Sequence, residues 1–87
     1  MNTFKLTVST PNGNVFKGDA VKLNLRGASG DLAVMAGHIP FITTVKEGEF
    51  SVDLPEGERK SGNIGGGLLT VSKDAVILLS GSVKFDK

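Results

Sequence analysis

Apolar and polar residues alternate along most of this chain. Phe4, Leu6 and Val8 are separated by Lys5 and Thr7, and Val21, Leu23 and Leu25 by Lys22 and Asn24. A period of two sends successive side chains to opposite faces of a strand, so each segment predicts a strand buried on one side. Phe50, Val52 and Leu54 repeat the pattern against Ser51 and Asp53, and Leu69 and Val71 against Thr70 and Ser72. Turn chemistry punctuates these runs. Pro11-Asn12-Gly13-Asn14 contains an Asn-Gly pair, which tolerates positive φ and predicts a tight hairpin. Gly18-Asp19, Gly27–Asp31, Pro55-Glu56-Gly57-Glu58, Gly65-Gly66-Gly67 and Lys73-Asp74 are further breaks, and Arg59–Ile64 reads as a returning strand. Nowhere do apolar residues recur at helical spacing over a helix-length window without Gly or Pro intervening, so no substantial helix is expected. Short strands with regularly spaced turn signals predict an all-β sandwich or barrel, formed as a single domain over residues 1–87.

Two stretches depart from alternation. Ala75–Ser80 is almost wholly apolar, the pattern of a strand covered on both faces. In residues 32–42, eight of eleven are Ala, Val, Ile, Leu, Met or Phe, and the sole ionisable group is His38. A domain of 87 residues has one modest core and few doubly covered strands. That segment therefore either fills the core or meets a partner, since contiguous apolar surface marks interaction sites. Pro40 removes a backbone donor and holds Ile39 extended, which predicts a kink between two short strands.

Composition narrows the chemistry. With no cysteine, the chain has no disulfide, thiolate-ligated zinc, iron–sulfur cluster or cysteine nucleophile. Its one histidine excludes every two-histidine metal site. His38 itself has three readings: a hydrogen-bonded turn residue, an interface contact, or a catalytic base. The last lacks a neighbouring nucleophile and orienting carboxylate. Gly62-x-x-Gly65-Gly66-Gly67 superficially resembles a phosphate cradle, but it has no Gly-Lys-Ser/Thr and no helix follows it. Those glycines read instead as a bend, a bulge or a close approach of strands. Ten basic against nine acidic residues leave a net +1 and no basic stripe, and the five phenylalanines occupy core-facing positions, so nucleic-acid binding is not expected. The acids concentrate in residues 46–58, where Lys46 faces Glu47, Glu49, Asp53, Glu56 and Glu58, the composition of a solvated hairpin edge. No run approaches the roughly 20 apolar residues of a membrane-spanning helix. No cofactor, metal or small-molecule ligand is indicated. A small β-sandwich carbohydrate- or peptide-binding module is the alternative class, disfavoured by the absence of Trp and Tyr from its surface.

One ordered set of motifs is specific. It runs from Phe4-x-Leu6-x-Val8 through Pro11-Asn12-Gly13, Val15-Phe16-x-Gly18, Gly30-Asp31-Leu32-Ala33-Val34, Gly37-His38-x-Pro40 and Gly48 to Gly66-Gly67-Leu68-Leu69-Thr70-Val71 and Val76-Ile77-Leu78-Leu79. This series resembles the amino-terminal β-sandwich domain of the epsilon subunit of bacterial F-type ATP synthases, and the resemblance covers essentially the whole chain. It departs from the family pattern at Ala36, Ala33, Arg26-Gly27 and Ser80-Gly81-Ser82-Val83. The resemblance implies a flattened sandwich of about ten short strands in two sheets. It also implies a non-catalytic rotor subunit at the foot of the central stalk, peripheral on the cytoplasmic face of the cell membrane, with the gamma subunit and the c-ring as partners. Met35, His38, Phe41, Ile42 and Thr43 would then lie against gamma, and Ser29, Gly30, Asp31 and Leu32 against the polar loops of the c-ring. The family's carboxy-terminal helical pair has no counterpart in these residues, so neither nucleotide binding nor inhibition of hydrolysis is expected of them.

Overall fold

The alternating segments become strands. The structure, a computed structural model, describes residues 2–27, 30–37 and 39–86. Among these lie eight strands and no helix: β1 (Phe4–Thr10), β2 (Gly13–Ala20), β3 (Lys22–Gly27), β4 (Gly30–Met35), β5 (Phe41–Asp53), β6 (Arg59–Val71), β7 (Ala75–Ser80) and β8 (Val83–Phe85). There are fewer strands than the expected ten or so because glycines do not end them. Gly18 lies inside β2, Gly48 inside β5, and Gly65, Gly66 and Gly67 inside β6, where pairing with neighbouring strands outweighs the weak strand preference of glycine. The Pro11-Asn12 link does turn the chain, with Thr10 paired to Gly13 and Gly13 at φ +126°.

Hydrogen bonding runs in the order β2-β1-β7-β6-β5-β3-β4, with β8 on β6, and β1 pairs parallel with β7. The two 13-residue strands hold the sandwich together. Residues 41–45 of β5 and 67–71 of β6 join β7, β1 and β2 in one layer, while residues 49–53 and 59–64 join β3, β4 and β8 in the other. Both layers feed a single core, with Leu6, Val8, Leu69, Val76 and Leu78 from the first and Leu23, Val34, Val52 and Phe50 from the second. Each fully buried aliphatic side chain among them contributes about 1.5–3 kcal/mol. Phe85 of β8 closes one end against Phe50, ring centroids 5.3 Å apart.

Between the layers the β5–β6 ribbon turns over. The register is unbroken from Phe41↔Val71 to Asp53↔Arg59, yet Val45 and Leu69 face the core on one side and Phe50, Val52 and Ile64 on the other. A change of parity without a slip in register requires the ribbon itself to twist. Gly48 at φ +146° and Gly66 at φ +90° supply the backbone for it. Ser80, buried at the same corner, places Oγ 2.6 Å from the Gly66 carbonyl and 2.8 Å from that of Ser82.

The far end of the β5–β6 hairpin is closed by a two-pronged ion pair. Arg59 donates from Nε to Asp53 Oδ1 at 2.6 Å and from Nη2 to Oδ2 at 3.2 Å. The Arg59 hydrogen bond holds the Asp53 carboxyl below its ordinary value. A group with a depressed folded-state pKa stabilises the fold above the unfolded carboxylate value, and that contribution is lost as pH falls through the folded one. Asp53→Asn is therefore expected to lower the urea midpoint modestly at pH 7. The gap from the parent should close in acid, which urea titrations at both pH values will show.

Candidate functional site

The two outer faces of the sandwich differ in chemistry. On the β1/β2/β7 layer, ladder register sets two adjacent rows: Ile42, Thr70, Ile77, Thr7, Lys17 and Thr44, Leu68, Leu79, Ser9, Asn14. Leu68 and Leu79 are directly paired, which puts their side chains about 5 Å apart. Ile42, Leu68, Ile77 and Leu79 are 67%, 38%, 41% and 45% exposed and form one apolar patch over β5, β6 and β7. On β1 and β2 the same rows continue as Thr7, Ser9, Asn14 and Lys17, a polar margin. A shallow depression of about 500 Å³ beside Leu68 and Leu79 is bounded by Pro11 and Gly67. An apolar centre with a polar rim is the anatomy of a protein–protein interface.

β7 corrects the sequence reading. Val76, Leu78 and Ser80 are buried, but Ile77 and Leu79 point outward, so the Ala75–Ser80 run is covered on one face only. It is apolar on both faces because its outer face belongs to the patch. Leu68, Ile77 and Leu79 were not singled out from sequence, although that doubly apolar run was the signal.

The other outer face is polar. Asp31 and Arg26 are ladder partners, Glu49 pairs with Asn63, and Asn63 with Lys84, giving alternating charge across the sheet. The next row is small: Ala33, Asn24, Ser51 and Ser61, with Asn24 Nδ2 donating to Ser51 Oγ at 3.1 Å. These rows floor an open cleft of about 570 Å³.

The residues expected at interfaces are divided by this architecture. Ile42 lies in the apolar patch. Met35 is exposed at the end of β4, and Ile39, 82% exposed, lies on the connection to β5. Phe41 and Thr43 are on the inward face of β5, and Phe41 packs half-buried against the core. Gly30 and Asp31 are exposed at the start of β4, whereas Leu32 turns inward and packs on the core. Ser29 and His38 lie outside the described residues. Among the described residues, no three His, Asp or Glu side chains converge as a metal site, and no helix is long and apolar enough to cross a membrane.

Fold and faces together define a small β-sandwich domain with one apolar and one polar outer face. The family of the ATP synthase delta/epsilon chain β-sandwich domain matches residues 3–85, and the chain belongs to it. The ATP synthase epsilon chain of that family is a non-catalytic subunit of the synthase. Among relatives, the chain is 31% identical over 83 residues to the sodium-ion-specific ATP synthase epsilon chain of Acetobacterium woodii, covering 95% of this chain and 62% of that one. It is 34% identical over 80 residues to the ATP synthase epsilon chain of Bacillus velezensis, covering 92% and 60%. It thus spans about three-fifths of the length of these curated relatives. The fold matches a chain of the Euglena gracilis mitochondrial ATP synthase in an OSCP/F1/c-ring structure, with TM-score 0.90 at 19% identity over 95% of this chain and 53% of that one.

Proposed function

We propose that the chain works as the sandwich domain of a rotor subunit in an F-type ATP synthase, peripheral on the cytoplasmic face of the bacterial membrane. It binds the gamma subunit and rests on the c-ring, coupling ring rotation to the stalk. The observation that carries this reading is the patch of Ile42, Leu68, Ile77 and Leu79. Four large aliphatic side chains on adjacent strand positions are left in water by the isolated domain, and removing them from water is the driving force a stalk partner offers. Met35 and Ile39 are further exposed apolar residues and, with His38, are assigned to the same partner. The c-ring contact falls to the β3–β4 hairpin, where Ser29, Gly30 and the exposed Asp31 suit a polar loop. Leu32, Phe41 and Thr43 serve both contacts from the inner side, by fixing the strands that present the outer residues.

The test is mixing with the gamma subunit followed by size-exclusion chromatography. Co-elution at micromolar concentration is expected, and separate elution would sink the gamma assignment. A detergent-solubilised c-ring, tested separately by pull-down, reports on the second contact.

A further inference from the structure

Arg26 stands out on the polar face. Its aliphatic stem lies across the backbone of Gly48: a Cβ built there would fall 2.9 Å from Arg26 Cδ and 3.3 Å from Nε. Gly48 at φ +146° is where the β5–β6 ribbon turns over, so the groove that takes the stem is part of the fold. Asp31 is its ladder partner on β4, and Glu49 lines the same cleft from β5. Neither carboxylate closes an ion pair on the guanidinium, and among the described residues it makes no hydrogen bond. The result is a cation whose stem is seated and whose forked donors remain open to solvent, on the β3 arm of the hairpin assigned above to the c-ring.

A seated stem reduces the side-chain entropy that an arginine loses on binding. A guanidinium with free donors takes a carboxylate through two parallel hydrogen bonds, which an ammonium cannot reproduce. We propose that Arg26 is a contact residue for the c-ring, engaging a carboxylate on a ring loop beside the Asp31 contact. This rests on the c-ring reading. The alternation of Asp31, Arg26 and Glu49 then sets register, because a ring surface shifted by one strand would put like charges together.

The experiment is binding of the full chain to detergent-solubilised c-ring from the same enzyme across a salt series, for the wild type, Arg26→Ala and Arg26→Lys. Co-elution with gamma is measured alongside as a control for folding. Both variants are expected to bind the ring about tenfold more weakly with unchanged gamma co-elution, and Arg26→Ala, which loses the charge, also with shallower salt dependence. Arg26→Lys is as weak as Arg26→Ala because the fork is lost although the charge is kept. Either variant binding like the wild type, or Arg26→Ala keeping the wild-type salt dependence, overturns the assignment. If the wild type itself fails to bind the ring while still binding gamma, the c-ring reading falls, and the role of Arg26 falls with it.

Discussion

Leu79→Asp is expected to abolish co-elution with the gamma subunit while leaving a folded domain. Leu79 is 45% exposed on the outer face, so the fold loses little beyond the poor strand preference of Asp, about 1 kcal/mol. In the complex the carboxylate would be buried against apolar surface with no partner, at about 3–5 kcal/mol, or more than roughly a hundredfold in affinity. Leu68→Asp, on the paired residue, should behave alike. The control is Phe41→Asp. Phe41 lies next in sequence to the patch residue Ile42 but on the inner face, half-buried against the core, so a charge there should unfold the domain rather than spare it. Chromatography and thermal melts on the three variants separate the cases. A Leu79→Asp protein that still co-elutes with gamma would remove the patch from the interface.

Gly67→Ala is expected to have the largest effect on stability. The two strands come so close at this residue that an added Cβ would overlap the Leu79 carbonyl and sit 3.0 Å from Ser80 Cα. Both obstacles are backbone, so no side-chain rotation relieves them, and β6 and β7 must separate. The cost is about 3 kcal/mol, at the upper end of overpacking penalties, and should lower the melting temperature by more than about 10 °C. Since Gly67↔Ser80 adjoins Leu68↔Leu79, the patch would be distorted as well. By contrast, a Cβ at Gly81 meets nothing, so Gly81→Ala is the matched control and should melt near the parent. Equal melting temperatures for the two would refute the close approach.

Much of this was open to reading along the chain. Strict alternation at Phe4–Val8, Val21–Leu25 and Phe50–Leu54 identified three strands and their inner faces, because a half-buried strand needs nothing beyond its own period. Asn12-Gly13 marked its hairpin for an equally local reason. The glycine-rich stretches misled. Gly65–Gly67 reads as a break in isolation, but in the fold these residues continue β6, with Ser82 close against Gly65, β5 against Gly66 and β7 against Gly67, so that side chains there would be crowded. The apolar run Ala75–Ser80 was legible as doubly apolar, but not as half-exposed. A single strand carries no information about whether its second face meets the core or another protein.

The sequence by itself determined the all-β class, the core faces of the clear strands, and a family whose ordered motifs cover nearly the whole chain. These rest on period, turn chemistry and residue order, which are properties of neighbours along the chain. Only the tertiary structure decided which apolar residues are left over. Phe41 goes inward and Ile42 outward, Leu68 and Leu79 meet across a ladder, and Arg26 settles over Gly48. Each depends on strands distant in sequence, and on a ribbon that changes its core-facing side where glycine allows it to twist.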